Sequence, residues 1–287
     1  MNDLSFARWS ARFAAAGAAL ALVAGFTAAP ATAAPGTSQA PPPVYIALGD
    51  SYAAGTGGGA YIAPPSGLPG ECLQTAAAYP VLRNATLNLG CAGATTLDVA
   101  AVAERYAPAL KSASVVTVTV GGNDVDAVQS AVACTVSPGS AACTAALYNS
   151  LGVKLRELPG KIKAMLDTVK KKAPQARIVL TGYPRLFTVS AAFTAEQNQA
   201  VRMMNASADL LNATIGYSAL VNRVKYVSVT ERFTGHGIGS ADPWIVPPAG
   251  LCDPAVNCSP SPFDPFHPTA TGYSQGYAAA LAAARIP

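Results

Sequence analysis

Short apolar runs that end in glycine or small polar residues alternate along this chain with longer stretches of helical spacing. Val44 to Leu48, Thr86 to Gly90, Ser114 to Val120, Arg177 to Thr181 and Val224 to Val229 read as five strands. The third (SVVTVTV) is the β-branched run expected of a strand buried on both faces. Thr75 to Arg83, Thr96 to Leu110, Ala145 to Lys172, Ala195 to Val221 and Thr269 to Arg285 read as helices. In the third helix Leu147, Leu151, Leu155, Leu158, Ile162, Met165, Leu166 and Val169 keep a helical period that Pro159 interrupts. Gly55 to Gly70, Gln129 to Ala142 and residues 231–268 are dense in Gly, Pro or Cys and read as loops. Strands alternating with helices predict an α/β fold: an open, parallel, five-stranded sheet covered on both faces.

The first residues have another pattern. Arg8 and Arg12 precede a small, apolar run from Phe13 to Ala29, and Ala31-Thr32-Ala33 matches the A-x-A cleavage pattern. We expect a signal peptide over 1–33, a Pro-rich lead-in over 34–43 and a single domain over 44–287. The run is short for a membrane span, so secretion without stable membrane insertion is the expectation.

An exported chain changes the meaning of its cysteines. Cys72, Cys91, Cys134, Cys143, Cys252 and Cys258 are the full set, an even count that predicts three disulfides. Sequential pairing is the simplest because each pair encloses a short loop, though sequence does not choose among the possible pairings. No pair has C-x-x-C spacing and there are two histidines, so a metal site is not expected. Net charge is +4 and charged residues are 12% of the chain, too mild and dispersed a balance for nucleic acid. Lys170-Lys171-Lys172, the one basic run, falls at a helix end where cations complement the dipole.

Three polar sites close successive strands: Gly49-Asp50-Ser51, the turn Gly90 to Gly93, and Gly121-Gly122-Asn123-Asp124. Strand ends of one parallel sheet share an edge, where α/β proteins gather their chemistry. Taken singly, Asp50 or Ser51 reads as an N-cap, Gly93 as a tight turn and Asn123 as a loop cap. Together they supply a nucleophile (Ser51), backbone N–H donors (Ser51, Gly93) and a side-chain amide (Asn123), the parts acyl transfer needs. The base must be a histidine. His267 comes three residues after Asp264 in FDPFHP, so the carboxylate can hold Nδ1–H and set the tautomer. His236, in Gly235-His236-Gly237, has no comparable acid beside it.

Gly49-Asp50-Ser51, Gly93, Gly122-Asn123-Asp124 and Asp264-Pro265-Phe266-His267, in this order across nearly the whole mature chain, resemble the SGNH (GDSL) hydrolase family. The likeness is greatest to its secreted actinobacterial lipases and esterases, which also carry six cysteines, usually paired sequentially. The resemblance implies a three-layer α/β/α sandwich with a central parallel five-stranded sheet, flavodoxin-like. It implies Ser51 as nucleophile, His267 as base, Asp264 as orienting acid, and Ser51, Gly93 and Asn123 as oxyanion donors; some relatives orient the histidine with a backbone carbonyl instead. It also implies that His236, with Asp242-Pro243-Trp244, forms a loop in which the histidine is not the base.

The expected function is a secreted serine ester hydrolase, needing no cofactor and acting as a monomer on small-molecule or lipid esters. Carbohydrate deacetylase and phospholipase are the alternatives on the same fold. Tyr61, Ile62, Pro64, Leu186, Phe187, Phe193, Trp244, Ile245 and Val246 are expected in or beside loops flanking the site, where an apolar rim favours acyl chains. Gly55-x-Gly57-x-x-Ala60 echoes a dinucleotide fingerprint, but it begins well past its strand and opens no helical pattern. A secreted binding module has no need of Ser51, Gly93, Asn123 and His267 together.

Overall fold

The strands β1 (Tyr45–Gly49), β2 (Leu87–Gly90), β3 (Val115–Thr119), β4 (Arg177–Thr181) and β5 (Lys225–Val227) pair in the order β2-β1-β3-β4-β5. All four pairings are parallel. This computed structural model describes residues 43–255 and 257–287. The expected signal peptide and the lead-in as far as residue 42 lie outside the described residues. The strand order is that of the flavodoxin-like doubly wound sheet, whose switch point lies between β1 and β3.

Alternation along the strands gives the sheet two unlike faces. Ile46, Leu48, Val116, Val118, Ile178 and Leu180 face one way and are buried in one core with Leu158, Ile162, Leu166 and Val169 of the helix Leu155–Lys172. Tyr45, Thr117, Thr119 and Thr181 face the other way. There Tyr45 OH bonds Thr117 Oγ1 (3.0 Å), Tyr79 OH bonds Thr119 Oγ1 (2.8 Å), and Thr119 Oγ1 bonds Thr181 Oγ1 (2.6 Å). A sheet face this rich in hydroxyls is stable because each buried one finds a partner.

The helices are α1 (Ser51–Ala54), α2 (Thr96–Arg105), α3 (Ala127–Val136), α4 (Ala141–Tyr148), α5 (Leu155–Lys172) and α6 (Ala195–Val221). A π turn (Asn149–Lys154) joins α4 to α5, and Gly272–Ala278 with Ala279–Ala283 forms the closing helix. α2 opens on a capping box, Thr95 with Asp98, and α6 on another, Thr194 with Gln197.

Several boundaries differ from expectation. The 129–142 region is mostly helix, α3 and α4 flanking a short turn at Pro138-Gly139. The helix expected over 75–83 shrinks to Tyr79–Leu82, because Gln74–Thr75 pairs with Tyr61–Ile62 as an antiparallel ribbon. The 96–110 helix breaks at Tyr106, two residues before Pro108, which starts a separate turn (Ala107–Leu110). Pro159 sits inside α5 without ending it. The disulfides are sequential: Cys72–Cys91, Cys134–Cys143 and Cys252–Cys258. The first ties the 70–72 turn to the end of β2, and the second braces α3 against α4.

Candidate active site

Register places the first half of the site. Gly49 is level with Gly90 on one side and Thr119 on the other, so the chain leaves β1, β2 and β3 at one height. The segments that carry Ser51, Gly93 and Asn123 begin at these three strand ends. Gly49 has φ +141°, and a Cβ there would lie 2.3 Å from the Thr119 carbonyl oxygen, so only glycine lets the strands pack this closely. Asp50 then caps α1, accepting from Tyr52 N–H at 2.9 Å, and Ser51 is the first helical residue. The cap reading and the nucleophile reading are therefore compatible.

Ser51 Oγ lies 2.7 Å from His267 Nε2, with both residues buried. His267 reaches it from a loop whose backbone is strained: Phe266 has φ +68°, a region that costs a bulky residue of order 1–3 kcal/mol. Three contacts hold that conformation. Tyr52 OH donates to Phe266 O (2.7 Å), Phe266 N–H to Val246 O (2.8 Å), and Val246 N–H to His267 O (2.8 Å). Gly57 (φ +85°) lets the neighbouring loop close in, since a Cβ there would stand 2.9 Å from His267 Cβ.

Burial pushes the His267 imidazole down to about 4, and the backbone carbonyls of Asp264 and Pro265 pull it partly back. The ring is thus neutral at pH 7. The expected pairing with the Asp264 carboxylate is not made. Among the described residues Nδ1 has no hydrogen-bond partner, and the carboxylate is taken by the hydroxyls of Tyr61 and Ser259 (2.5 Å). The tight turn explains this: His267 N–H donates to Asp264 O (3.1 Å), which brings the backbone, rather than the side chain, of Asp264 to the histidine.

On the other side of Ser51, Gly93 sits in a turn at φ +79° with nothing within 4 Å of where a Cβ would be. No hydrogen bond among the described residues uses the backbone N–H of Ser51 or Gly93. Asn123 spends one amide proton on Ala94 O (3.0 Å), which fixes its orientation and leaves the second proton for the cleft. Asp124 ties the two turns together, accepting from Thr96 N–H (2.9 Å) and Thr96 Oγ1 (2.7 Å). Behind Ser51, Tyr183 OH donates to Asp50 (2.5 Å) and accepts from Gly122 N–H (3.1 Å). Burial pushes the Asp50 carboxyl up to about 7 against these bonds. Sequence reasoning assigned Tyr61, Ser259, Asp124 and Tyr183 no such roles. Asp124 alone had a signal, standing in the same motif as Asn123.

Ser51, Gly93, Asn123 and His267 line one open cleft of about 400 Å³, walled by Leu73, Val132 and Phe263. Ser51 and Asn123 also line a narrower chamber of about 70 Å³ among the helices, with Leu186 in its wall. Phe187 and Phe193 line a further small cavity, while Ile245 and Val246 are packed into the core. Tyr61 serves Asp264. His236 stacks on Trp244 at 3.7 Å and bonds Asp242 O (2.9 Å), away from Ser51.

Comparison with known proteins identifies the family and the fold. The model of the GDSL-like lipase/acylhydrolase family matches residues 47–275. A lipase of Streptomyces rimosus is 30% identical over 240 residues, covering 81% of this chain and 83% of that protein. Lipase 1 of Streptomyces coelicolor is 30% identical over 269 residues, covering 92% and 91%. Among solved structures, the S. rimosus extracellular lipase superposes with TM-score 0.72 at 29% identity, over 84% of this chain and 98% of its own. Phospholipase A1 of Streptomyces albidoflavus superposes with TM-score 0.69 at 33% identity, over 83% and 98%.

Proposed function

This chain belongs to the GDSL-like lipase/acylhydrolase family and is a carboxylic ester hydrolase, and from that premise we propose that Ser51 is its nucleophile and His267 its general base. The observation that carries the assignment is the buried 2.7 Å approach of His267 Nε2 to Ser51 Oγ, in a cleft that also holds Gly93 and Asn123.

The reaction runs in two halves. Nε2 takes the hydroxyl proton as Oγ bonds the ester carbonyl carbon, and the carbonyl oxygen gains the charge. That oxyanion accepts from Ser51 N–H, Gly93 N–H and the free Asn123 amide proton, groups fixed before substrate arrives. Collapse breaks the bond to the alcohol oxygen, which leaves with the proton from Nε2. Water then gives its proton to Nε2 and attacks the acyl-serine, and the acid departs as the proton returns to Oγ. The imidazolium formed on the way is favoured by the backbone carbonyls of Asp264 and Pro265. Asp264 serves by clasping Tyr61 and Ser259, which holds the loop that carries His267.

The substrate is a lipid or acyl ester: Leu73, Val132 and Phe263 give the cleft apolar wall, the curated relatives bear the name lipase, and a similar solved structure is a phospholipase A1. The site of action is outside the cell, in keeping with three disulfides. The test is hydrolysis of p-nitrophenyl esters from C2 to C16 by the disulfide-bonded protein and by Ser51→Ala. Activity confined to the parent protein is expected. Equal rates from the two proteins defeat the assignment.

A further inference from the structure

Two spaces of different character meet at Ser51. The open cleft is lined by Ser51, Asn123 and His267; the chamber is lined by Ser51 and Asn123 without His267. The leaving alcohol must take its proton from His267 Nε2, so the alcohol lies in the cleft. The carbonyl carbon has one substituent left, the acyl chain, and it points away from His267. Leu147, Leu151, Leu155 and Leu211 wall the chamber away from Ser51, and although Ser130, Ser150 and Ser207 also line it, its surface is mainly apolar and suits a hydrocarbon.

The chamber has an end. Met204, on α6 and buried, lines the chamber and also lines a second small cavity bounded by Phe187, Phe193, Val201 and Leu251. It is the one residue common to both linings. Its unbranched side chain is thus shared by the two spaces. From this arrangement we propose that the helix-walled chamber is the acyl-chain site of the enzyme, and that Met204 sets the longest chain it takes. The proposal rests on the assigned roles of Ser51 and His267. It makes the enzyme selective for acyl length and permissive toward the alcohol, because the first occupies the narrower space of about 70 Å³ and the second a cleft of about 400 Å³.

Two substitutions on one face of α6 move the boundary in opposite directions. Met204→Ala joins the two cavities, and Ala208→Phe, one turn along on the chamber wall, fills the chamber. With p-nitrophenyl esters, the ratio of kcat/KM for C12 over C4 should rise about tenfold or more in Met204→Ala and fall by a similar factor in Ala208→Phe. Met204→Val carries the same direction as Met204→Ala should the latter not accumulate as folded protein. At fixed butyryl chain, a series of alcohols from ethyl to benzyl should keep its parent order in every variant. A second readout is the rate at which alkylphosphonate p-nitrophenyl esters of graded length label Ser51, monitored by intact mass. Folded variants, judged by Tm, whose length ratios stay within about twofold of the parent overturn the chamber assignment while leaving the chemistry intact. Hydrolysis undiminished in Ser51→Ala overturns the chemistry itself.

Discussion

The two halves of the site are held by different means. Ser51, Gly93 and Asn123 stand just past three adjacent parallel strands, whose backbone register of Gly49 with Gly90 and Thr119 fixes the height at which the three segments begin. His267 stands in a stretch without regular structure and is aimed by an unfavourable Phe266 backbone, a Tyr52 hydroxyl and the Tyr61–Asp264–Ser259 cluster. Backbone pairing tolerates changes of side chain, whereas a loop aimed by side chains depends on each of them. The strand-end half should therefore be the less sensitive to residues that never touch substrate, its side-chain ties being Asp124 to Thr96 and Tyr183 to Asp50 and Gly122. The loop half should also fail from residues that never touch substrate.

The largest effects belong to the reacting groups. Ser51→Ala or His267→Ala should lower kcat by on the order of 10⁴ or more, and the double variant should be no worse than either single one. Asn123→Ala should cost about 10²–10³ in kcat with little change in Tm, since it removes an oxyanion donor from a turn that the strands already fix. Asp264→Asn and Tyr61→Phe should each cost about tenfold, and together no more than the worse of the two, because both break one clasp. A drop of about 10⁴ in Asp264→Asn alone, as for a carboxylate bonded to the imidazole, would instead place the acid on Nδ1.

The smallest effect is on pH dependence. The acid limb of kcat/KM should lie near pH 4, the value to which burial brings His267, rather than near 6.5. Stability carries two opposed slopes. Between pH 4 and 6.5 the unfolded chain protonates His267 and the folded chain does not, so this group favours folding more as pH rises. Asp50 does the reverse: from 3.8 to about 7 the folded chain keeps a proton that the unfolded chain has lost, so its contribution falls as pH rises. Relative to the parent, Tm of Asp50→Asn should climb with pH across the shared window, and Tm of His267→Gln should descend.

The strands and α6 were legible because their apolar residues repeat at one period, and Arg177–Thr181 and Ala195–Val221 begin and end where the pattern does. α3 was not, because the residues it buries are small or polar (Ser130, Ala131, Cys134), and of α4 only residues 145–148 were read as helix, since its start beside Pro138-Gly139 carries no apolar stripe. Ser51, Gly93, Asn123 and His267 were legible as strand-end and motif positions. Asp264 misled, since three residues of separation suggested contact with the imidazole, while one of its partners, Tyr61, comes from a distant loop where it was read only as part of an apolar rim. Likewise the Asp50 cap was readable from its neighbours, but its bond to Tyr183, from beyond β4, was not.

The bond between Ser51 and His267 spans a sequence separation of 216 residues. Closing so long a loop is entropically among the last events available to a folding chain, and nothing local to either residue can stand in for it. The sheet core around β1 and β3 can therefore assemble while the molecule is still inert. Turnover reports the arrival of the final loop, and mild denaturant should silence the enzyme before it melts the sheet.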